Sequence, residues 1–392
     1  MVTLLIFIAV LAVLVLSHEF GHFIMARFFG MKVDEFGFGF PPRLCGVRRL
    51  KSGKLQVVWG NKQVKALEAS DSDVGGTIYS FNWLPLGGFV KIKGENGSEG
   101  DDTDSFASKK AWQRASVLVA GVVMNIFVAF SLITLGFIVG WPQSLDGMSD
   151  VSLVNDRHVE VMQVLPGKPA EAAGVQAGDQ ILAVGTLQNP RLDELRVYVN
   201  AHKNETIAVR IMRGEEKMIK QIHPTVYADT GQGGLGVAIA EIGTVRYPWY
   251  QAIGRGAVTT ARYLKIIVVS FYFLLKDLFL GHGVGAAVSG PIGIAVMTGQ
   301  VARMGWVYLI QFIAMLSLNL AVLNILPIPA LDGGRLLFVV IGTIVRRSVT
   351  PRVEQTAHAI GFLLLMLLVV AVTVKDLSVF SGVFVNFWNN LF

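Results

Sequence analysis

The chain has 392 residues, of which 53% are hydrophobic and 16% are charged, with a net charge of +6. Soluble domains average about 25% charged residues, so the composition indicates a membrane protein. The basic residues are clustered, but no soluble segment combines them with aromatic residues, which argues against nucleic-acid binding. The single cysteine, Cys45, excludes an internal disulfide and a zinc site of the CxxC type.

The first apolar stretch, residues 3–29, is long enough to cross a bilayer, which requires about 20 residues. It lacks the basic start and the small-residue cleavage site of a signal peptide, so we expect a retained transmembrane helix. Basic residues follow it from Arg27 to Lys65 and form a second cluster at 346–352. Because cytoplasmic loops carry an excess of lysine and arginine, we predict that both clusters are cytoplasmic and the N-terminus is outside.

Three more transmembrane helices are predicted, at about 111–141, 305–326 and 357–374. The stretch 249–280 is apolar but carries several charged side chains, and we interpret it as an amphipathic helix lying in the membrane interface. With four spans, both termini and the segment between the second and third spans are outside.

The predicted fold class is an α-helical polytopic membrane protein with a membrane-associated β-hairpin region and an inserted extracytoplasmic α+β domain. The hairpin is expected near 77–93, where a Pro-Leu-Gly turn precedes a strand. The predicted organisation is an N-terminal membrane core at 1–150, the α+β domain at 151–226, a linker with the interfacial helix at 227–304, and a C-terminal membrane core at 305–392.

The first predicted helix contains His18-Glu19-Phe20-Gly21-His22, an HExxH motif. Residues four apart share one face of a helix, so both imidazoles can bind one zinc ion, and Glu19 can act as the general base. Zinc lowers the pKa of a bound water to about 7, which makes hydroxide available at neutral pH. Ionisable residues inside an apolar span are costly and usually functional, which favours a zinc site over a chance match.

A catalytic zinc ion usually takes three protein ligands and keeps one position open. Residues 23–30 contain no acid or histidine for the third position. The better candidate is Asp332, which follows the prolines of the sequence 324–334 at the predicted end of a broken helix. The alternative is that Asp332 forms a salt bridge with Arg335.

The motif HExxH in the first span, together with NxxPxPxLDGG at 324–334, resembles the site-2 protease family of intramembrane zinc metalloproteases. Residues 166–181 are typical of bacterial PDZ domains, and Ser289-Gly290-Pro291-Ile292-Gly293-Ile294 and Gly37-Phe38-Gly39 match the bacterial RseP/RasP branch with a single PDZ domain. The resemblance covers nearly the whole chain. It implies Zn²⁺ bound by His18, His22 and Asp332, with Glu19 as the base.

The resemblance also implies that Asn324 helps to hold the substrate and that a β-hairpin dips into the membrane near Phe89, Val90 and Lys91. The implied substrates are single-span membrane proteins in the bilayer, such as anti-sigma factors or remnant signal peptides, and the implied location is the bacterial inner membrane. The family often has GPxxN in the second helix, whereas this chain has Gly121-Val122-Val123-Met124-Asn125. Asn125 can therefore be a substrate contact or a helix-packing residue.

Two other functions were considered. A zinc transporter places polar ligands on several spans, often in repeated halves, whereas only one span here contains histidines. A non-catalytic PDZ membrane scaffold would have no use for Glu19, which zinc binding does not require. Zinc-dependent cleavage of a transmembrane peptide would distinguish the protease from both alternatives.

Overall fold

The computed structural model describes residues 2–60, 76–95, 102–145, 154–165, 167–227, 231–281, 289–346 and 350–379. Lys62, Lys65 and Arg347 of the predicted basic clusters, and Pro166 of the PDZ-type motif, lie outside these ranges. The chain forms two compact units. The first comprises residues 1–131, 259–296 and 313–392, and the second comprises 132–258 and 297–312.

The helices that build the first unit are mostly long and apolar. They are α1 (Val2–Phe28), the first part of α2 (Ala111–Val139), most of α5 (Trp249–Phe279), the larger part of α7 (Trp306–Ile325), α8 (Asp332–Val345) and α9 (Pro351–Val379). Helix α6 (Pro291–Met304) connects α5 to α7. The four helices predicted as spans all form, and the last is longer than predicted because it begins at Pro351, a favourable first residue of a helix.

Helices α7 and α8 both contact the α1–α2 pair in this unit. Ser317 of α7 donates a hydrogen bond to the carbonyl of Asn125, whose side chain lies beside His18, and the Asn324 amide is 3.3 Å from His18 Nε2. Farther along the chain, Val339 of α8 shares an apolar cluster with Ala26 near the end of α1. The contacts of α8 therefore advance along α1, from His18 and His22 at Asp332 to Ala26 at Val339.

A three-stranded sheet lies in the first unit, with the order β2 (Leu55–Trp59), β1 (Val33–Arg49), β3 (Ile78–Ile92). The predicted hairpin strand near 77–93 is present as β3, but the sequence patterns did not predict the long strand β1. Residues 33–38 of β1 lie between two parts of β3, pairing with 88–92 on one side and with 78–81 on the other. Residues 88–92 are therefore an outer strand of the sheet.

The second unit is built on a seven-stranded sheet with the order β4-β12-β5-β6-β8-β9, with β7 paired to β6. These strands are β4 (Trp141–Ser144), β5 (Val154–Val164), β6 (Gln180–Val184), β7 (Leu187–Gln188), β8 (Ile207–Arg213), β9 (Glu216–Ile222) and β12 (Val237–Val245). Helices α3 (Pro169–Ala172) and α4 (Leu192–Ala201) accompany the sheet, and β10 (Thr225–Val226) pairs with β11 (Gly233–Gly234). The α4 residues Leu192, Leu195 and Val199 are buried in the domain core.

The sheet extends beyond both ends of the domain predicted at 151–226. Strand β12 pairs with β5 along most of its length and with β4 at 242–245, so both flanking strands belong to the same sheet. After β10 and β11 the chain returns to the sheet as β12, which lies beyond the predicted boundary at 226. Glu160 of β5 is buried, and Tyr308 in the first turn of α7 donates a 2.6 Å hydrogen bond to its carboxylate.

Five of the described helices are long and apolar enough to cross a membrane: α1, α2, α5, α7 and α9. The chain is thus a polytopic membrane protein by the length and composition of its helices. The fifth candidate is α5, which the sequence predicted to lie in the membrane interface.

Candidate active site

Three potential metal-binding atoms converge on one point in the first unit. Asp332 Oδ2 lies 2.9 Å from His18 Nε2 and 3.2 Å from His22 Nε2, and the two Nε2 atoms are 3.1 Å apart. Both histidines are buried, and the Asp332 side chain is 23% exposed. The alternative pairing of Asp332 with Arg335 does not form, because Arg335 makes an ion pair with Glu95.

The HExxH helix places both imidazoles on the face of α1 that packs against α2. Close approach of the two helices depends on two glycines, because a Cβ on Gly21 would be 2.4 Å from the Ala120 carbonyl oxygen. A Cβ on Gly121 would be 2.5 Å from His22 Nε2 and 2.7 Å from His18 Cε1. Gly121 therefore leaves the space that the two imidazoles occupy.

Helix α2 also orients the imidazole rings. His22 Nδ1 donates to the carbonyl of Val117 at 2.8 Å, which leaves Nε2 free of its proton and available to a metal. The Asn125 side chain is completely buried, with its amide Nδ2 3.2 Å from His18 Nδ1 and its Oδ1 3.4 Å from the Ser17 hydroxyl. If Nε2 of His18 bound a metal, Nδ1 would carry the ring proton, and a half-turn of the amide would present Oδ1 to accept it. Asn125 therefore contacts His18 at Nδ1, the ring nitrogen that does not face Asp332.

The third atom comes from the break between α7 and α8. Ala330 has a φ of 83°, a conformation that non-glycine residues rarely adopt. Its N–H donates to Nδ1 of His358 on α9 at 2.8 Å, while Nε2 of the same ring is buried without a hydrogen-bond partner. His358 therefore holds the turn that presents Asp332 two residues later. No pattern in the sequence marks His358 as part of the site, and only its contact with Ala330 reveals the role.

Glu19 faces the outer strand of the three-stranded sheet. The N–H of Val90 donates to Glu19 Oε2 at 3.0 Å, which ties the glutamate to residues 88–92. Phe89 packs against Gly37 on β1, and Lys91 is 67% exposed with its Nζ 3.7 Å from Asp34. Of the three hairpin residues proposed for substrate binding, Val90 forms a hydrogen bond with a residue of the HExxH motif.

The residues fit a zinc ion. Two imidazole nitrogens and one carboxylate oxygen are the donor set of many catalytic zinc sites, and all three lie within 4.8 Å of one another. Ligand atoms held about 2.0–2.1 Å from one zinc in a tetrahedron are separated by roughly 3.3 Å, close to the separations of 2.9–3.2 Å observed between these atoms.

The sequence profile of peptidase family M50 matches residues 6–57 and 67–368. The chain belongs to peptidase family M50. Its relatives include a Clostridium perfringens protein described provisionally as a zinc metalloprotease, which is 33% identical over 93% of this chain and 95% of the relative. A Clostridium acetobutylicum protein described in the same way is 30% identical over 94% of this chain and 96% of the relative.

Among solved structures, the PDZ domain of an SdrC-like protein from Listeria monocytogenes matches 22% of this chain and 90% of that domain. The identity is 23% and the TM-score is 0.21, which is too low to establish a shared fold. The family and its full-length relatives identify this M50 peptidase as an intramembrane zinc metalloprotease of the site-2 type, with Zn²⁺ as its cofactor. The transporter and scaffold alternatives are therefore set aside.

Proposed function

We propose that this M50 peptidase hydrolyses peptide bonds within the transmembrane segments of single-span membrane proteins, with His18, His22 and Asp332 as the zinc ligands and Glu19 as the general base. The observation that carries the assignment is the convergence of the three donor atoms within hydrogen-bonding distance, although Asp332 is more than 300 residues from the HExxH motif. Anti-sigma factors and remnant signal peptides, the substrate classes that the family resemblance implies, differ in sequence, but each presents a helix in the bilayer.

Zinc bound by these residues would polarise the scissile carbonyl and make a water molecule acidic near neutral pH. Glu19 accepts the proton of the attacking water and transfers it to the amine that leaves. The Val90 N–H, at 3.0 Å, holds one oxygen of the Glu19 carboxylate, so the base is oriented before the substrate arrives. Asn125 contacts Nδ1 of His18, and the Val117 carbonyl accepts a hydrogen bond from Nδ1 of His22. Both rings are therefore oriented through the nitrogen that does not face the proposed zinc ion.

A helical substrate must unwind before it is cut, because its peptide groups are otherwise hidden. Unwinding in an apolar site leaves N–H and C=O groups unpaired, and each costs several kcal/mol. Residues 88–92 are an outer strand whose side away from β1 faces α1, so a substrate segment added there would recover hydrogen bonds with the peptide groups other than the Val90 N–H, which is bonded to Glu19. The Asn324 amide, 3.3 Å from His18 Nε2, can hold the substrate from the other side.

The proposed topology has four spans, with α5 in the membrane interface. The proposal takes α1 and α7 to cross in the same direction, which requires the chain to cross the membrane an even number of times between the end of α2 and the start of α7. Among the described residues of that interval, α5 alone is long and apolar enough to cross. A single crossing by α5 would reverse α7, so α5 is assigned to the interface, and the α+β domain to the outer face of the bacterial inner membrane.

The α+β domain is proposed to be PDZ-like and to select substrates by the size or the end of their outer segments. Its strand β12 is paired with β5 on one side, and on the other side β4 already pairs with residues 242–245. A substrate C-terminus added as a strand is thus limited to the first half of β12. This arrangement favours steric exclusion of bulky outer segments over recognition of a long extended peptide.

The test measures zinc content and cleavage of a single-span substrate by the purified protein in bilayer discs. His18→Ala, His22→Ala and Asp332→Ala should lower bound zinc and abolish cleavage. Glu19→Gln should retain zinc and slow cleavage by at least ~100-fold, because it removes the base and no ligand. His202→Ala, in the α+β domain, is the matched control and should change neither quantity. Full zinc in Asp332→Ala would remove Asp332 from the ligand set.

A further inference from the structure

A cavity of about 390 Å³ lies in the first unit, where the start of α2, the end of α8 and the start of α9 meet. It is much larger than the roughly 10–15 Å³ that one water molecule requires. Four of its lining residues are cationic and two are acidic: Lys109, Arg114, Arg335, Arg346, Glu95 and Glu354. The cavity wall thus carries a net charge of +2.

The charges of the wall are only partly balanced. Arg335 pairs with Glu95, which leaves Glu354 to face the other three cations. Arg114 lies 5.8 Å over the ring of Phe106, and its Nε is buried without a hydrogen-bond partner. A buried donor of a charged group that lacks an acceptor costs free energy, so an anion that enters the cavity gains a hydrogen bond that the protein itself does not supply.

The cavity lies at the starts of α2 and α9, two helices long and apolar enough to cross a membrane, and a helix that spans a bilayer has its ends near the lipid headgroups. Arg114 is in the first turn of α2, Arg346 caps the C-terminal end of α8, and Glu354 is in the first turn of α9. Helix ends with arginine at this level meet the phosphates of the lipid headgroups. The remaining wall includes Phe106, Leu118 and Phe338, which offers apolar contact beside the cations. A phospholipid can contact the cations of the wall through its phosphate and the apolar residues through its glycerol and acyl chains.

We propose that this cavity binds the headgroup of an anionic phospholipid, with Arg114 and Arg346 as the main contacts of its phosphate. The cavity borders the part of α8 that begins three residues after Asp332. There, Arg335 of α8 forms an ion pair with Glu95 in the turn after β3. A bound lipid would therefore brace α8 and the β3 turn against each other. The binding is independent of the catalytic roles proposed above, because none of the proposed zinc ligands lines the cavity.

The experiment uses native mass spectrometry of the full-length, zinc-loaded protein in detergent, titrated separately with phosphatidylglycerol, phosphatidylcholine and inorganic phosphate. The wild-type protein should retain one phosphatidylglycerol far more tightly than phosphatidylcholine. Arg114→Gln combined with Arg346→Gln should weaken phosphatidylglycerol binding by about 30-fold, since each basic group near a lipid surface contributes ~1 kcal/mol. Arg352→Gln makes the same charge change at an exposed position outside the cavity and should leave binding unchanged.

Arg346→Gln alone guards against misfolding of the double variant, because Arg346 is exposed at a helix end and its loss cannot disturb a core. It should weaken phosphatidylglycerol binding by about fivefold while zinc content stays the same. Equal retention of phosphatidylglycerol and phosphatidylcholine by the wild type would overturn the proposal, as would unchanged binding in Arg346→Gln and the double variant. Displacement of the lipid by millimolar inorganic phosphate would show a free-phosphate site and also overturn it.

Discussion

At the scale of single residues, the site depends on groups that do not themselves meet the zinc. Gly121 leaves room for the imidazoles of His18 and His22, and Asn125 and the Val117 carbonyl contact the Nδ1 atoms of these rings. His358 accepts a hydrogen bond from the turn before Asp332. Such groups fix the tautomer and orientation of a ligand, and their loss typically reduces metal affinity or activity by about 10–100-fold. Two predictions follow from their contacts.

Asn125→Leu should weaken zinc binding by about 10-fold or more, because the His18 ring loses the buried amide that contacts its Nδ1 and therefore loses its orientation. Asn125→Asp keeps an acceptor at the same place and should retain more affinity. Zinc affinity measured by competition with a chromogenic chelator checks this prediction. If both variants bind zinc like the wild type but cleave slowly, Asn125 acts on the substrate and not on His18.

His358→Leu should lower the cleavage rate about 10-fold or more, because the Ala330 N–H loses its acceptor and the turn at φ 83° loses its support. His358→Asn keeps an acceptor within reach and should restore part of the rate. Zinc affinity should fall in parallel with activity if the effect passes through Asp332. A histidine that merely fills space would make leucine harmless and asparagine the worse substitution.

At the scale of secondary-structure elements, the decisive contact is between α1 and the outer strand of the three-stranded sheet. Because alternate peptide groups of a strand point to opposite sides, the Val90 N–H faces α1 and the Lys91 N–H faces β1. The strand therefore has one side committed to the sheet and the other to the catalytic helix. The sequence suggested both residues for substrate pairing, and the structure distinguishes their directions.

Val90→Pro should reduce turnover of a helical substrate strongly and leave zinc content intact, because it removes the N–H that faces Glu19. Lys91→Pro removes an N–H that faces β1, so it should reduce thermal stability more than it reduces turnover per folded molecule. Leu55→Pro, at the start of β2 on the opposite edge of the sheet, is the control and should be tolerated. If neither Val90→Pro nor Lys91→Pro slows cleavage in zinc-loaded protein, strand pairing by this segment is wrong.

At the scale of the whole molecule, the direction of the helices constrains the membrane topology. The ends of α1 and α8 and the starts of α2 and α9 carry Arg27, Arg346, Lys110 and Arg352, so one end of the first unit is basic. This end is proposed to be cytoplasmic by the bias of lysine and arginine toward that side. The same proposal assigns the α+β domain to the opposite side of the membrane.

Reporter fusions at Ser52 and Asn189 should report opposite sides of the membrane, with Ser52 inside. A third fusion at Gly281, just after α5, decides the number of spans. It should report the same side as Asn189, because α7 must enter the membrane from that side to run in the direction of α1. A cytoplasmic signal at Gly281 would mean that α5 crosses the membrane and that the four-span topology is wrong.

The sequence alone determined the features that depend on neighbours along the chain. Helical periodicity places His18 and His22 on one face, apolar length predicts α1, α2, α7 and α9, and prolines predict the break before Asp332. The zinc chemistry followed because HExxH is a local motif, and the family resemblance joined it to the distant Asp332.

Tertiary structure alone decided which distant groups surround that motif. Gly121, Asn125 and His358 are about 100 to 340 residues away from His18, and no local pattern marks the face that each presents to the site. Strand β1 was not predicted, and strand β12 pairs with β5 from beyond the domain predicted at 151–226, because sheet membership depends on partners far along the chain. Local patterns report local periodicity, whereas hydrogen-bond partners and close approaches between helices arise only when the chain is folded.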